Sequence, residues 1–493
     1  MEQLTAIPGS FSMKMKPLVV STLSGAFALW IVAGCWRHYP GNPGPLLLFM
    51  LSFPAMLAIG LLKPRSFVYL FFSLFLFLCF WLKFVAHIFF GLELLEPVGV
   101  FNGSPQAWDR ALIAASAVAL GVMVTRGGHI VWSRGRSRVN REQQVPVWYE
   151  SMRVPVWTCT LSLMLLLNLW NAWAAFYQIG VNPRLVLPAH LNVVSAWFIN
   201  LGFALWLAVL VQWELCRANS RPLPALALPV MEGVVASAST LSRLVFLLHT
   251  LPYLVVVWQR RSGGSTLEGK RKVFFAAILA LGFLISVSLV QVGRSVIYFS
   301  PSAETMFRGA AVTTKEVQRV TNTAAIYIPQ MMQQLPWLIV GRWVGLEGVL
   351  AVSSYPATGA QLLMQGVTEN PRLGNTSLYQ NIAHASYKET QHFSFLTLPG
   401  IAGVLLYSGS ALLVGGGLAF VTLLLIGAEL VIEAWLPNPF ILSVTAVAMA
   451  NVVCQLNFPY LTLVFFIELA VTLVGIWACE NLTNKRRTLI SPT

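Results

Sequence analysis

Apolar runs of about 20 residues recur along almost the whole chain, and no other feature limits its folding as strongly. Such runs are the length a helix needs to cross a bilayer. They are continuous rather than alternating, so they read as membrane helices and not barrel strands. Of the 493 residues, 57% are hydrophobic and 10% charged, against about 25% charged in a soluble domain. The expected fold is an all-α polytopic membrane protein with about 12–14 transmembrane helices.

Charge orients the runs. The net charge of +14 is carried largely by short loops such as SRGRSRVNR (133–141), QRRSGG (259–264) and GKRK (269–272). This is the positive-inside bias of membrane proteins, and it argues against nucleic acid as a partner. Lys14 and Lys16 put the N-terminus in the cytoplasm. Spans near 17–35, 44–62, 66–91, 111–124, 155–177 and 190–215 then alternate with the basic loops in step. Residues 223–258 form one apolar tract. Two short spans joined near 239–243 keep the basic loop after it on the cytoplasmic side. A span at 273–299 leads outward to the longest non-spanning segment, 300–398. Its six basic and five acidic residues nearly balance, so parity places it outside the cytoplasm. Apolar runs at 399–416, 418–435, 438–456 and 459–479 follow. Four spans would leave NKRR (484–487) outside; three would place it inside, if 399–435 bends around GGG (415–417) or one run is re-entrant. The chain thus divides into an N-terminal bundle (1–299), a large outer loop with amphipathic or interfacial helices (300–398), and C-terminal helices with a basic tail (399–493).

The outer loop holds the chemistry. Leu335 to Val352 contains nine Leu, Ile or Val residues but also Arg342 and Glu347. On an insertion scale the aliphatics contribute roughly −4 kcal/mol, which one central Arg and one Glu cancel. The segment should therefore lie at the interface or against protein. Read as one helix, it puts Arg342 on a face with Leu338, Leu346 and Val349, and Glu347 about 140° away. Gly341, Gly345 and Gly348 form a small-residue stripe suited to close helix approach. Arg342 reads either as snorkelling to headgroups or as gripping an anion, for which a planar, permanently charged fork is suited. Arg308, Arg372, Glu389 and His392 add cations and titratable groups to the same loop.

A second constellation lies on the third span. Lys83 and His87 are four residues apart on one helix face. They either snorkel to the outer end or line a cavity holding a glycan or lipid phosphate, with Asp109, Arg110 and Arg243 as further candidate lining residues. Glu232, Glu429, Glu433, Glu468, His249 and Arg294 are other ionisable groups in apolar tracts. The six cysteines lie in or beside apolar runs with no CxxC pair, as small apolar residues would. There is no DxD-type, P-loop, zinc or GxSxG motif.

The long polytopic chain, the outer loop with GRWVGLEG (341–348), and re-entry through HFSFLTLPGIAGVLLYSGS (392–410) resemble the bacterial O-antigen polymerases, or oligosaccharide repeat-unit polymerases. Architecture carries the resemblance along the whole chain; specific residues carry it only around 337–410. It implies a multi-pass glycosyltransferase of the bacterial inner membrane. Such an enzyme joins undecaprenyl-pyrophosphate-linked oligosaccharides at the periplasmic face without metal or other cofactor. The lipid-linked donor and acceptor are its partners, with a chain-length regulator as a further candidate. Arg342 is the residue the motif carries over as the pyrophosphate ligand, with Arg308 and Arg372 by location. Glu347, Glu389 or His392 would activate the acceptor, an outer-loop His being a feature of the related O-antigen ligases. The competing expectation is a lipid-linked oligosaccharide flippase or another polytopic transporter, for which span-embedded carboxylates would be the sign.

Overall fold

The computed structural model describes residues 15–63, 65–134, 145–181, 183–217, 222–259, 269–299, 340–341, 343–370, 377–385 and 397–488. Among them every regular element is a helix, as the apolar runs predict. α1 is Met15–His38, α2 Pro43–Gly60, α3 Phe67–Ile88, α4 Pro105–Trp132, α5 Val147–Ala174, α6 Ala189–Cys216, α7 Pro222–Thr240, α8 Arg243–Gln259 and α9 Gly269–Phe299. Four short helices follow: α10 Leu346–Ser354, α11 Ala360–Thr368, α12 Leu378–Ile382 and α13 Gly400–Leu406. The chain ends with α14 Ala411–Trp435, α15 Pro439–Cys454 and α16 Pro459–Thr488. Among the described residues nine helices are long and apolar enough to cross a membrane, and α8 and α15 are shorter apolar helices of 17 and 16 residues. With the 24-residue α1 they make twelve.

Hydrogen bonds between helix ends sort the connections onto two faces. Arg65 donates to the Gln259 carbonyl at the end of α8. Arg126, near the end of α4, donates to the Leu62 carbonyl. Glu429, near the end of α14, accepts from the Ser66 hydroxyl and the Phe67 N–H at the start of α3. A carboxylate there offsets the partial positive charge of a helix N-terminus. Trp435 of α14 and Trp477 of α16 lie 6.3 Å apart. Arg65, Gln259 at the end of α8 and the C-terminal part of α16, which flank or carry basic segments of the sequence, therefore share one face, as the positive-inside reading requires. The described parts of 340–385 lie on the opposite face: Lys83, at the other end of α3, bonds to Gly341 and Trp343, and Gly99 donates to the Ala383 carbonyl.

The α7–α8 hairpin forms as expected, with Leu241 in the left-handed region (φ 54°) at its turn. Two expectations need correction. The run 399–416 is not a span. It is the short α13, followed by a break at Tyr407–Ser410 where Gly409 takes φ 74°. Among the described residues three apolar helices of at least 16 residues, α14, α15 and α16, follow 399, and three crossings put NKRR on the basic face. The triple glycine makes no bend. It lies inside α14, where Gly415 packs so tightly on Gly121 of α4 that a Cβ at Gly121 would sit 2.0 Å from the Gly415 carbonyl oxygen. Close approach of this kind supplies packing energy where no hydrophobic effect operates between helices.

Packing forms two groups of helices. The first is α2, α3, α4, α10, α13 and α14; the second is α5 to α9. α15 touches both, packing on α3, α6, α8 and α14. Its residues Phe440 through Ala450 are all buried, as expected of a helix apolar all round and enclosed by protein. Ser443 and Asn438 donate to the carbonyls of Pro252 and Ala208, anchoring it to α8 and α6.

Candidate functional site

The two charged constellations of the sequence are one cluster. Lys83 of α3 and Glu347 of α10 meet with Nζ 2.6 Å and 2.7 Å from the two carboxylate oxygens. Their side chains are 4% and 3% exposed. An ammonium has three protons to donate, and here it also reaches the carbonyls of Gly341 at 3.0 Å and Trp343 at 2.5 Å. Lys83 thus binds both chain neighbours of Arg342.

Local sequence explains the arrangement. α3 carries a π-helical segment, Phe77–Leu82, immediately before Lys83; such wide turns shift the bearing of the residues after them and recur at functional sites. The stretch 337–352 is not a single helix. Residues 343–345 are non-helical, Gly345 is extended, and α10 starts at Leu346. The expected 140° separation on one wheel therefore does not apply. Nor does α10 lie at an interface, since Leu346 through Val352 are buried. The glycines do permit close approach, but by three different neighbours. Cβ atoms at Gly341, Gly345 and Gly348 would meet Leu95, Cys79 and the Pro399 carbonyl at 2.0, 2.8 and 2.0 Å.

His87 caps the end of α3. Its Nδ1 lies 2.7 Å from the Leu92 carbonyl, which can only accept, so Nδ1 carries the proton. The ring stacks on Trp108 at 5.7 Å. Trp108 also contacts Tyr39, Phe84 and Phe101, and sequence reasoning passed over this buried aromatic hub. Asp109 is a strut rather than a free acid. It accepts from the Tyr39 hydroxyl at 2.8 Å and the Asn42 N–H at 2.9 Å, fixing the α1–α2 turn. Arg110 is exposed. Lys83, His87, Glu93 and Gly341 border a cleft with about 10 Å³ of free space, room for about one water. Among the described residues that space is smaller than a glycan or a phosphate group. Arg243 does not join this cluster; it sits at the α7–α8 turn, 2.8 Å from Gln291 of α9. Arg308, Arg342, Arg372, Glu389 and His392 lie outside the described residues.

A second buried pair lies in the other group of helices. His249 of α8 and Glu232 of α7 are both 0% exposed, with Nδ1 2.8 Å and 2.9 Å from the carboxylate oxygens. Nε2 is 2.7 Å from the Asn200 carbonyl, within the π-helical segment Phe198–Gly202 of α6. That carbonyl can only accept, so Nε2 is protonated, and Nδ1 faces the Glu232 carboxyl group. Each residue is visible in the sequence as an ionisable group in an apolar tract. Their pairing appears only once the hairpin is closed.

Among the described residues no group of three or more His, Cys, Asp or Glu is placed to hold a metal ion. The fold defines a polytopic all-α membrane protein with buried ion pairs in two helix groups. No family model, curated protein or solved structure matches the chain.

Proposed function

We propose that the chain is a glycosyltransferase of the bacterial inner membrane. It joins undecaprenyl-pyrophosphate-linked oligosaccharide repeat units at the periplasmic face, in the manner of an O-antigen polymerase. The observation that supports this reading is the hold of Lys83 on Gly341 and Trp343, the residues flanking Arg342. A buried ammonium held by Glu347 and bonded to both neighbours of an arginine, on the face opposite the basic loops, suits a guanidinium that must meet a lipid-borne phosphate at fixed depth. Arg342 would bind the pyrophosphate bidentately and offset the charge that develops as it leaves. Glu347 has both oxygens on Lys83, so its part is to hold Lys83. Activation of the acceptor hydroxyl then falls to His392 or Glu389, with Arg308 and Arg372 as further phosphate ligands. Membranes containing the protein, incubated with lipid-linked repeat units, should lengthen the glycan, and Arg342→Ala should stop lengthening at unchanged protein abundance. Normal polymer from Arg342→Ala would remove the reading.

The buried His249–Glu232 pair favours a second reading, a carrier coupled to protons, since ionisable groups inside spans commonly serve ion pathways. Translocation of the lipid-linked oligosaccharide without lengthening, in the same membranes, would support it.

A further inference from the structure

A pocket of about 600 Å³ lies between the ends of α5, α6 and α7 on the basic face. It is away from the Lys83 cluster and has no part in the proposed reaction. Its two ends differ in chemistry. At one end stand Arg153, Arg217 and Glu214; the other is apolar, walled by Leu161 and Leu228, with Trp157 between. Leu161 is eight residues beyond Arg153 on α5, or about 12 Å deeper along the helix axis. The pocket therefore runs from the depth of lipid headgroups into the hydrocarbon region.

The polar end is built. Glu214 is 7% exposed at its side chain and accepts from Arg153 Nε at 2.6 Å and Nη2 at 3.0 Å. The Tyr149 hydroxyl and the Trp157 indole N–H also donate to it, at 2.7 Å and 3.2 Å. Arg217 joins from the end of α6, with Nη1 3.4 Å from Glu214 and Nε 2.8 Å from Glu150. Two carboxylates thus orient two guanidinium groups, Glu214 holding Arg153 and Glu150 holding Arg217, and the pocket itself is lined by both arginines but by Glu214 alone of the two acids. Arg153 Nη1 makes no bond among the described residues. Beside it Val154 is 70% exposed on a helix that turns most of its surface to lipid, so a bilayer molecule can enter sideways.

We propose that this pocket binds an acidic phospholipid of the cytoplasmic leaflet. The phosphodiester lies on Arg153 and Arg217, and the start of an acyl chain lies along Leu161 and Leu228. Planar guanidinium forks match phosphate oxygens, and basic pockets between membrane helices on the cytoplasmic side bind anionic headgroups. The lipid would clamp the ends of α5, α6 and α7, adding to the Glu214 and Glu150 ion pairs that join α5 to α6 on this face.

Native mass spectrometry and thermal unfolding of the purified, delipidated full chain test the site, with phosphatidylglycerol, phosphatidylcholine and inorganic phosphate as probes. Phosphatidylglycerol should bind at least tenfold more tightly than phosphatidylcholine and raise the unfolding midpoint, while inorganic phosphate does neither. Arg153→Gln, which removes a charge-assisted contact, should weaken phosphatidylglycerol binding about tenfold. Leu228→Trp fills the apolar end, leaves every ion pair in place and should do the same. It decides the matter if Arg153→Gln does not fold. Equal binding of the two lipids overturns the proposal. So does a midpoint rise with inorganic phosphate alone, or wild-type phosphatidylglycerol binding by Leu228→Trp.

Discussion

Lys83 and Glu347, separated by 264 positions in the chain, close a bidentate ion pair 2.6 Å long with almost no solvent access. Breaking a buried pair by removing one partner strands the other charge, at about 3–5 kcal/mol, whereas replacing both by apolar residues of similar volume is often neutral. Lys83→Met and Glu347→Leu should each lower the unfolding midpoint sharply, and the double variant should recover most of the loss. Polymer on a gel should not recover with it, because Gly341 and Trp343 would still lack their ammonium donor. A double variant restored in both stability and polymer would confine Lys83 to a structural part.

Sidedness can be read directly. With the exposed Cys159, Cys216 and Cys479 replaced by Ser, Gln106→Cys should react with an impermeant thiol reagent in intact spheroplasts. Arg134→Cys, at the other end of α4, should react only after the membrane is opened. The reverse pattern would invert the topology and move the Lys83 cluster to the cytoplasm.

The contact of α4 with α14 predicts a difference between two glycines. Gly121→Ala drives a methyl into the Gly415 carbonyl, and overpacking of this kind costs about 1–3 kcal/mol. Gly427→Ala, also in α14 but with open space beside it, should be neutral or stabilising. Thermal unfolding of the two purified variants makes the comparison, and equal midpoints would contradict the packing described.

The His249–Glu232 pair separates the two functional readings. Replacing both residues by Leu avoids an unpaired buried charge and should leave glycan lengthening near its wild-type rate. Loss of lengthening at normal abundance would bring this pair into the reaction and favour the proton-coupled reading.

The spans and the hairpin were legible because local composition and loop charge determine them. The basic residues after Gln259 require an even number of crossings in 223–258, and the turn at Leu241–Ser242 supplies it. The break after α13 carries only a short local signal, the polar stretch YSGS (407–410), which the apolar residues on either side outweigh in a span-length window while the backbone turns at Gly409. The start of α10 was equally hidden: apart from Glu347 the residues from Trp343 to Leu350 are apolar or glycine, and only the backbone at Gly345 marks the start of the helix. Lys83 and Glu347 were both singled out, but for separate roles. No local signal links residues so distant, and the link exists only after α10 has been buried against α3 and α4. The fate of Asp109 was hidden for a similar reason, since its partners Tyr39 and Asn42 belong to a different loop.

The enclosure of α15 bears on how the protein comes into being. At about 5–20 residues per second, a ribosome reaches Pro439 roughly 20–90 s after starting, long after α2 to α9 have entered the bilayer. Through that interval the slot that α15 will fill faces lipid, which is as apolar as its lining, so there is little hydrophobic penalty for waiting. What is missing is close packing and the donors that Ser443 and Asn438 bring to α8 and α6. The second helix group, α5 to α9, is thus made early, the first is completed by α10, α13 and α14 only just before Pro439, and α15, one of the last segments to emerge, packs on both. A chain stopped before Pro439 would be membrane-inserted, yet would lack the buried helix that packs on both groups.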